Sequence, residues 1–264
     1  PSGVALALHD LTLQRDLEID QQRAQNLQQF GTLVAGLAHE IKNPLSGIRG
    51  AVQLLDADLE PATRGREYVA LVLREVDRLT RLLEQLLELG TRRSIEMTSV
   101  NVHRLIDHVL DVTRPTADRE HVTVARLFDP SLPGVLGQSD ALTQVFLNLV
   151  QNAIQAFGGS TDDGSRELRI TTRMETDLLV SGPRGRNRYL RVDFEDNGPG
   201  IRADAQAHLF SPFFTTKPKG TGLGLAISHR IVTDHQGTIR FESEPGRTLF
   251  RVILPASEET SSPS

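Results

Sequence analysis

The chain has 264 residues, 38% hydrophobic and 24% charged, with 29 Lys and Arg against 34 Asp and Glu, a formal net charge of −5. That suffices for one large globular domain or two modest ones, and the acidic balance offers no general nucleic-acid surface. Cysteine is absent, which excludes disulfide frameworks and cysteine-based metal or nucleophile sites.

No apolar run reaches the roughly 18 to 20 residues of a membrane span and no secretory signal pattern is present, so a cytoplasmic location is expected. At the N-terminus Val4, Leu6 and Leu8 alternate as in a strand. From Leu27 the apolar residues Phe30, Val34, Leu37, Ile41, Leu45, Ile48, Val52, Leu55 and Leu59 recur in steps of three and four. This predicts a helical rod of roughly 48 Å at about 1.5 Å per residue. Glu60 to Gly65 (EPATRG) breaks it, and a second stripe through Val69, Val72, Val76, Leu79, Leu83 and Leu86 ends near Gly90. Two such helices form an antiparallel hairpin that buries little by itself. A second copy completing a four-helix bundle is the simplest remedy, so a homodimer is expected.

Beyond Thr98 the texture becomes mixed. Val102 to Val112 reads as a helix and Val122 to Phe128 as a strand. Asp140 to Phe157 reads as a helix with Ser139 and Asp140 as candidate caps. Leu168 to Thr172, Tyr189 to Glu195, Thr238 to Glu242 and Leu249 to Leu254 read as strands. A helix from about Gly224 to Gln236 is closed by Gly237. One sheet covered by helices on one face is the expected architecture. The Arg-rich run Arg184 to Arg191 reads as a solvated hairpin loop, and the final SEETSSPS as a disordered tail.

Four constellations carry chemistry. His39-Glu40 puts an imidazole beside a carboxylate, which suits a nucleophile and its base, or equally an ordinary surface pair. Pro44, five residues on, removes a helical hydrogen bond to the Glu40 carbonyl at a cost of about 3 kcal/mol, which suggests a bend; Gly47 and Gly50 loosen the same turns. Asn43 shares the face of His39 and suits the positioning of water or a phosphoryl oxygen.

Gln144, Asn148 and Asn152 form a line of amides on an otherwise apolar helix, either a ladder to neighbouring backbone or hard ligands for Mg²⁺. In DNGPGI, Asp196 ends a strand with a carboxylate able to accept from an exocyclic amine, while Gly198 and Gly200 admit a planar base; the run also fits a plain turn. In KPKGTGLGLAISHRI, Gly220, Thr221, Gly222, Leu223 and Gly224 open a helix whose free N–H groups suit phosphates, with Lys217 and Lys219 adding charge. The G-x-G-x-G spacing is neither a dinucleotide fingerprint nor a P-loop, and no H-R-D or D-F-G set occurs.

With these motifs in order, the chain resembles the bacterial two-component sensor histidine kinases. HEIKNPL is similar to their H box, NLVQNA to the N box, DNGPG and GTGLGLAI to the two glycine boxes, and LFSPFFTTK to the F box. GLAHEIKNPLSGIRGAVQLL, DPSLP and the short segment between Phe214 and Gly220 resemble the nitrogen-regulation branch, whose members carry a PAS sensor domain ahead of the helices.

The resemblance implies a fold of α + α/β class, in which a dimeric four-helix bundle is followed by an α/β-sandwich ATP-binding domain of the histidine kinase/Hsp90-like type. The implied divisions are 1–26 (end of a PAS-like domain and linker), 27–92 (dimerisation and phosphotransfer hairpin), 93–257 (catalytic domain) and 258–264 (tail). It further implies ATP with Mg²⁺ as cofactors, with Asp196 accepting from adenine and Asn152 and Asn148 holding the metal. Lys217 and the glycine run would bind phosphates. His39 would be the phosphoryl carrier, Glu40 its base, and Glu40 with Asn43 would serve the reverse reaction on the regulator. The implied partners are an NtrC-type response regulator and the PII signal protein. Competing readings are another ATPase of the same superfamily and a non-catalytic dimeric scaffold.

Overall fold

The computed structural model describes residues 41–57, 59, 64–90, 97–158, 165–175, 181–182, 185–186, 188–217 and 220–257. His39, Glu40, Lys219, the strand expected near Val4, the first half of the first stripe and the tail lie outside the described residues. The chain divides into two compact units after Thr91.

In the first unit, helix α1 (41–57) and helix α2 (Arg64–Gly90) form the expected hairpin. Leu45, Val76 and Leu83 make its small core, with Leu87 packed against it. Lys42 meets Glu84 at 3.0 Å and Arg49 meets Asp77 at 2.8 Å, so two ion pairs fix the register of the two helices. Helix α1 continues through Pro44, and α2 begins one residue before Gly65, so the break is slightly shorter than the sequence suggests.

The second unit contains strands β1 (Thr98–Val100), β2 (Val122–Phe128), β3 (Val135–Gly137), β4 (Arg166–Glu175), β5 (Ser181–Gly182), β6 (Gly185–Arg186), β7 (Tyr189–Asp196), β8 (Thr238–Glu244) and β9 (Arg247–Pro255). Helices α3 (Val102–Arg119), α4 (Ser139–Ala156), α5 (Ala203–Gln206) and α6 (Gly224–Asp234) complete it. The main sheet runs β2-β4-β7-β9-β8, parallel between β2 and β4 and antiparallel elsewhere.

Period-two alternation sends Leu190, Val192 and Phe194 of β7 into the core opposite Leu254, Val252 and Phe250 of β9. Leu142, Val145, Phe146, Leu149, Val150, Ala153 and Ile154 of α4 pack in the same core, the apolar stripe of an amphipathic helix. The other face of the sheet is ionic. Asp193 is clasped by Arg191 at 2.6 Å, with Arg173 and Arg251 each at 3.3 Å. Arg191 therefore belongs to a strand rather than to the solvated loop, whose remains are the β5–β6 pair.

Three local expectations are corrected. Helix α3 does not stop at Val112 but runs through Pro115, because burying Thr113 and Ala117 beside Val109 and Leu110 outweighs the lost bond. The Thr113 hydroxyl donates to the Val109 carbonyl at 2.8 Å, tying that turn from the side chain. Ser139 and Asp140 lie inside α4, whose N-cap is Gln138 with no side-chain cap bond. At the end of α6 the left-handed residue is Gln236 (φ 57°), not Gly237. Gln236 N–H donates to Thr233 O and Gly237 N–H to Val232 O, both at 2.9 Å, which closes a Schellman motif. Gly237 is required instead by packing, since a Cβ there would lie 2.3 Å from the Ile253 carbonyl.

Candidate functional site

The site is organised along α4, where positions four residues apart present successive turns to one side. Each of three turns meets a different part of the later sequence. Asn148 donates from Nδ2 to Ser228 Oγ at 2.9 Å, and its Oδ1 sits where a Cβ on Gly224 would intrude at 2.2 Å. Asn152 Oδ1 accepts from Lys217 Nζ at 3.2 Å. Ala156 Cβ lies 3.3 Å from the position a Cβ on Gly198 would take. Two of the three amides in the line bond to side chains: Asn148 joins α4 to α6 and Asn152 joins it to Lys217.

Asp196 is the next inward residue after Leu190, Val192 and Phe194, so the alternation that builds the core also buries its carboxylate. Burial pushes its pKa up to about 6, against the Gly198 N–H donating to Oδ1 at 3.0 Å and the attraction of Lys217. The loop beyond is pinned on both sides. Asn197 accepts from Glu167 N–H at 2.8 Å and donates to Ser165 O at 2.6 Å. Ile201 N–H donates to Ser243 Oγ at 2.8 Å. Gly200 takes φ 81° with its Cα against the Glu244 carbonyl, so no side chain fits there.

The segment before the glycine run is anchored by aromatic packing. Phe210 lies 5.3 Å from His229 of α6 and 5.9 Å from Phe241 of β8. From there Lys217 reaches α4, donating to Asn152 and, at 2.9 Å, to Gln155 Oε1. Burial lowers the Lys217 pKa, opposed by Asp196. Thr221 Oγ1 accepts from Leu223 N–H at 3.3 Å, Gly222 takes φ 68°, and α6 starts at Gly224 with no side-chain cap bond. Its first-turn N–H groups therefore face a position suited to an anion.

The described residues of the second unit thus bring together Asn148, Asn152, Asp196, Gly198, Gly200, Lys217, Gly220, Thr221, Gly222, Leu223 and Gly224. Asn43 belongs to the first unit, exposed on α1. Gln155 and Ser228 were not singled out from sequence; their spacing, three residues after Asn152 and four after Gly224, was the available signal. Among the described residues no group of three or more His, Cys, Asp or Glu could hold a metal ion alone. The carboxamide oxygens of Asn152 and Gln155 already face one cation, the Lys217 ammonium, and are the hard neutral donors that Mg²⁺ accepts when phosphate completes its shell.

A buried carboxylate, closely packed glycines, amide oxygens facing a cation and an uncapped helix start thus occur in one α/β unit, a set of groups suited to a nucleotide. The chain belongs to the two-component sensor histidine kinases. Residues 31–95 match the His Kinase A (phospho-acceptor) domain, and residues 137–258 match the histidine kinase-, DNA gyrase B-, and HSP90-like ATPase family. Its relatives include the sensory histidine kinase/phosphatase NtrB of Rhizobium leguminosarum bv. phaseoli, 37% identical over 99% of this chain and 67% of that protein. NtrB of Rhodobacter capsulatus is 43% identical over 84% of this chain and 61% of its own length, and NtrB of Escherichia coli O157:H7 is 38% identical over 97% and 71%. The chain thus spans only about three fifths to seven tenths of these relatives.

Two solved structures are similar. Full-length ShkA in complex with AMPPNP superposes with a TM-score of 0.68 at 26% identity, covering 86% of this chain and 46% of that one. ThkA in complex with the response regulator TrrA gives 0.59 at 28% identity, covering 94% and 68%. No helix among the described residues is long and apolar enough to cross a membrane.

Proposed function

We propose that this chain is the kinase core of an NtrB-like, cytoplasmic sensor kinase/phosphatase, using ATP and Mg²⁺ to phosphorylate its own His39. The observation that carries the reading is the placement of Asp196, Asn152 and Lys217 around the C-terminal half of α4. Asp196 accepts from the adenine amino group through its carboxylate, and Gly198 and Gly200 let the ring approach the backbone. Asn152, with Asn148 alongside, offers carboxamide oxygen to the metal, which supplies charge neutralisation at the phosphates when bound. Gly220 to Gly224 and the N-terminus of α6 receive phosphate oxygens, and Lys217 adds a positive charge.

His39 attacks the γ-phosphorus through a neutral imidazole nitrogen. A nitrogen–phosphorus bond forms, the bond from phosphorus to the bridging oxygen breaks, and Glu40 takes the imidazole proton. The phosphoryl group then passes to an aspartate of an NtrC-type response regulator. Glu40 and Asn43 serve the reverse task by placing water for dephosphorylation, and the PII signal protein sets the balance. The divisions 27–92 for a dimeric phosphotransfer hairpin and 93–257 for the catalytic domain follow from this assignment, after the end of a PAS-like domain in 1–26.

Incubation with γ-labelled ATP tests the reading. Acid-labile, base-stable label is expected, absent in His39→Gln and in Asn152→Ala, and chased onto an added receiver domain. Label that survives His39→Gln sinks the nucleophile. Label in neither the native protein nor any variant, with the dimer intact, favours a scaffold.

A further inference from the structure

The hydrogen bonds that the Lys217 ammonium makes to other side chains go to neutral groups, with the Asp196 carboxylate adding a longer-range attraction. Its Nζ donates to Asn152 Oδ1 at 3.2 Å and to Gln155 Oε1 at 2.9 Å, two carboxamides one turn apart on the same side of α4. The backbone that delivers it is fixed. Thr215 Oγ1 accepts from Lys217 N–H at 3.1 Å, and Gly220 N–H donates to the Lys217 carbonyl at 3.0 Å. A Cβ on Gly220 would overlap Thr215 Oγ1, so Gly220 packs closely on Thr215. The four-carbon stem of a lysine has rotatable bonds enough to carry its ammonium from one set of acceptors to another.

We propose that Asn152 and Gln155 together hold the Lys217 ammonium in the place a divalent ion would take, making Lys217 an internal counter-cation that metal and nucleotide displace. The inference rests on the nucleotide-site reading above and adds Gln155 to it as a positioning residue. Without a ligand, the docked ammonium satisfies two amide oxygens and keeps the cation position filled. A divalent ion must compete with it, so metal alone binds weakly. When nucleotide arrives with the metal, the released ammonium meets phosphate oxygens, and its displacement is compensated. Entry of the two ligands is therefore coupled through one side chain, because any ligand that binds only the undocked state is weakened by the docked fraction.

The experiment uses the full chain without nucleotide and follows free Mn²⁺ by electron paramagnetic resonance. Lys217→Met is expected to bind Mn²⁺ about tenfold tighter than the native protein, the scale of one charge-assisted hydrogen-bond set. Equal or weaker binding, or no measurable binding by either protein, overturns the proposal. Reductive methylation with peptide mapping gives the second readout. Lys217 is expected to react more slowly than the exposed Lys42, Gln155→Leu to raise its rate several-fold without affecting Lys42, and Gln155→Glu to restore protection. A Lys217 rate unchanged by Gln155→Leu also overturns it. Calorimetry of ADP with Mg²⁺ on the native sample separates the two readings. Failure to bind there removes the nucleotide site itself, whereas binding there with no effect of Lys217→Met removes only the counter-cation.

Discussion

His235 Nε2 accepts the backbone N–H of Gln138 at 3.0 Å, so the residue that closes α6 supplies a bond at the start of α4 that α4 does not make for itself. The same ring donates from Nδ1 to the Ile231 carbonyl at 2.7 Å. Both contacts hold only for the neutral tautomer with its proton on Nδ1. Burial keeps the His235 pKa below its ordinary 6.5, outweighing the Ile231 bond and the attraction of Asp234. A depressed histidine pKa contributes stability that is present above the unfolded-state value and is lost as pH falls through the folded one. The share of stability due to His235, read by urea unfolding, should therefore be constant above about pH 7 and fall below about pH 6.5, an acid limb that Asp196 opposes below about pH 6. His235→Ala should cost about 1 kcal/mol or more at pH 7.5, through the unpaired Gln138 N–H, and flatten that acid limb. An unchanged limb would show that another group titrates there.

Asp196 has the opposite sign. Its pKa is raised by burial to about 6, so the folded state holds a proton that the unfolded state has released between roughly pH 4 and 6. The stability linked to it is present at low pH and lost as pH rises through about 6. Asp196→Asn should therefore stabilise the protein at pH 8, by about 2 kcal/mol, with the gain vanishing near pH 4. The same change should remove ATP binding, a stability-for-function exchange at a binding site. In the native protein, adenine nucleotide affinity should weaken as pH drops through about 6, measured by calorimetry. Retained affinity in Asp196→Asn would refute the carboxylate's role.

The sequence carried these two residues unequally. Asp196 was legible as the end of a strand, because DNGPG marked the turn after it; its burial comes from the inward alternation of β7 seen in the fold. His235 was not legible, since the backbone N–H it accepts from belongs to a residue nearly a hundred positions earlier, and no local pattern announces such a bond. The same holds for the ends of α3 and α6. Pro115 reads locally as a stop, yet Thr113 and Ala117 are buried, and tertiary packing decides. Gly237 reads as a cap, yet β9 passes within van der Waals reach of its Cα, and Gln236 accepts the left-handed conformation. Gln155 was passed over because only the fold brings Lys217 back across sixty residues to meet it. Local periodicity gave elements and faces; the meetings between elements required the chain to be folded.

Gly222 tests the turn proposed to bind phosphate. It has φ 68°, and a Cβ there would lie 2.3 Å from the Phe213 carbonyl carbon and 2.7 Å from Phe213 Cα, backbone atoms that cannot give way. Gly222→Ala should destabilise the second unit by about 1 to 3 kcal/mol and displace the start of α6. Loss of nucleotide affinity of at least tenfold is expected, with the hairpin unaffected. An equal change at Gly246, also at positive φ but with open space around it, should leave nucleotide binding intact, since only backbone strain is added there. If both substitutions act alike, strain alone rather than the close approach to Phe213 accounts for the effect.

The hairpin predicts its own partner. Of the apolar stripe, Leu45, Val76 and Leu83 pack between α1 and α2, whereas Ile48 and Leu55 on α1 and Val72 and Leu79 on α2 remain exposed in the single chain. Leu55 is 58% exposed and Leu79 46%, on helices whose periodicity puts them in the same stripe as the buried residues. A two-helix unit with so small a core does not account for such a stripe, but a second copy would bury it, at about 1.5 to 3 kcal/mol for each large side chain covered. The double substitution Leu55→Arg with Leu79→Arg should convert dimer to monomer in sedimentation analysis at micromolar concentration. It leaves Leu45, Val76, Leu83 and both interhelical ion pairs in place, so loss of helix beyond the hairpin is not expected. ADP binding should survive, because the residues proposed for the nucleotide site all belong to the second unit. Autophosphorylation should fall only if His39 needs the assembled bundle, and a double variant that stays dimeric would show that the exposed stripe is not the interface.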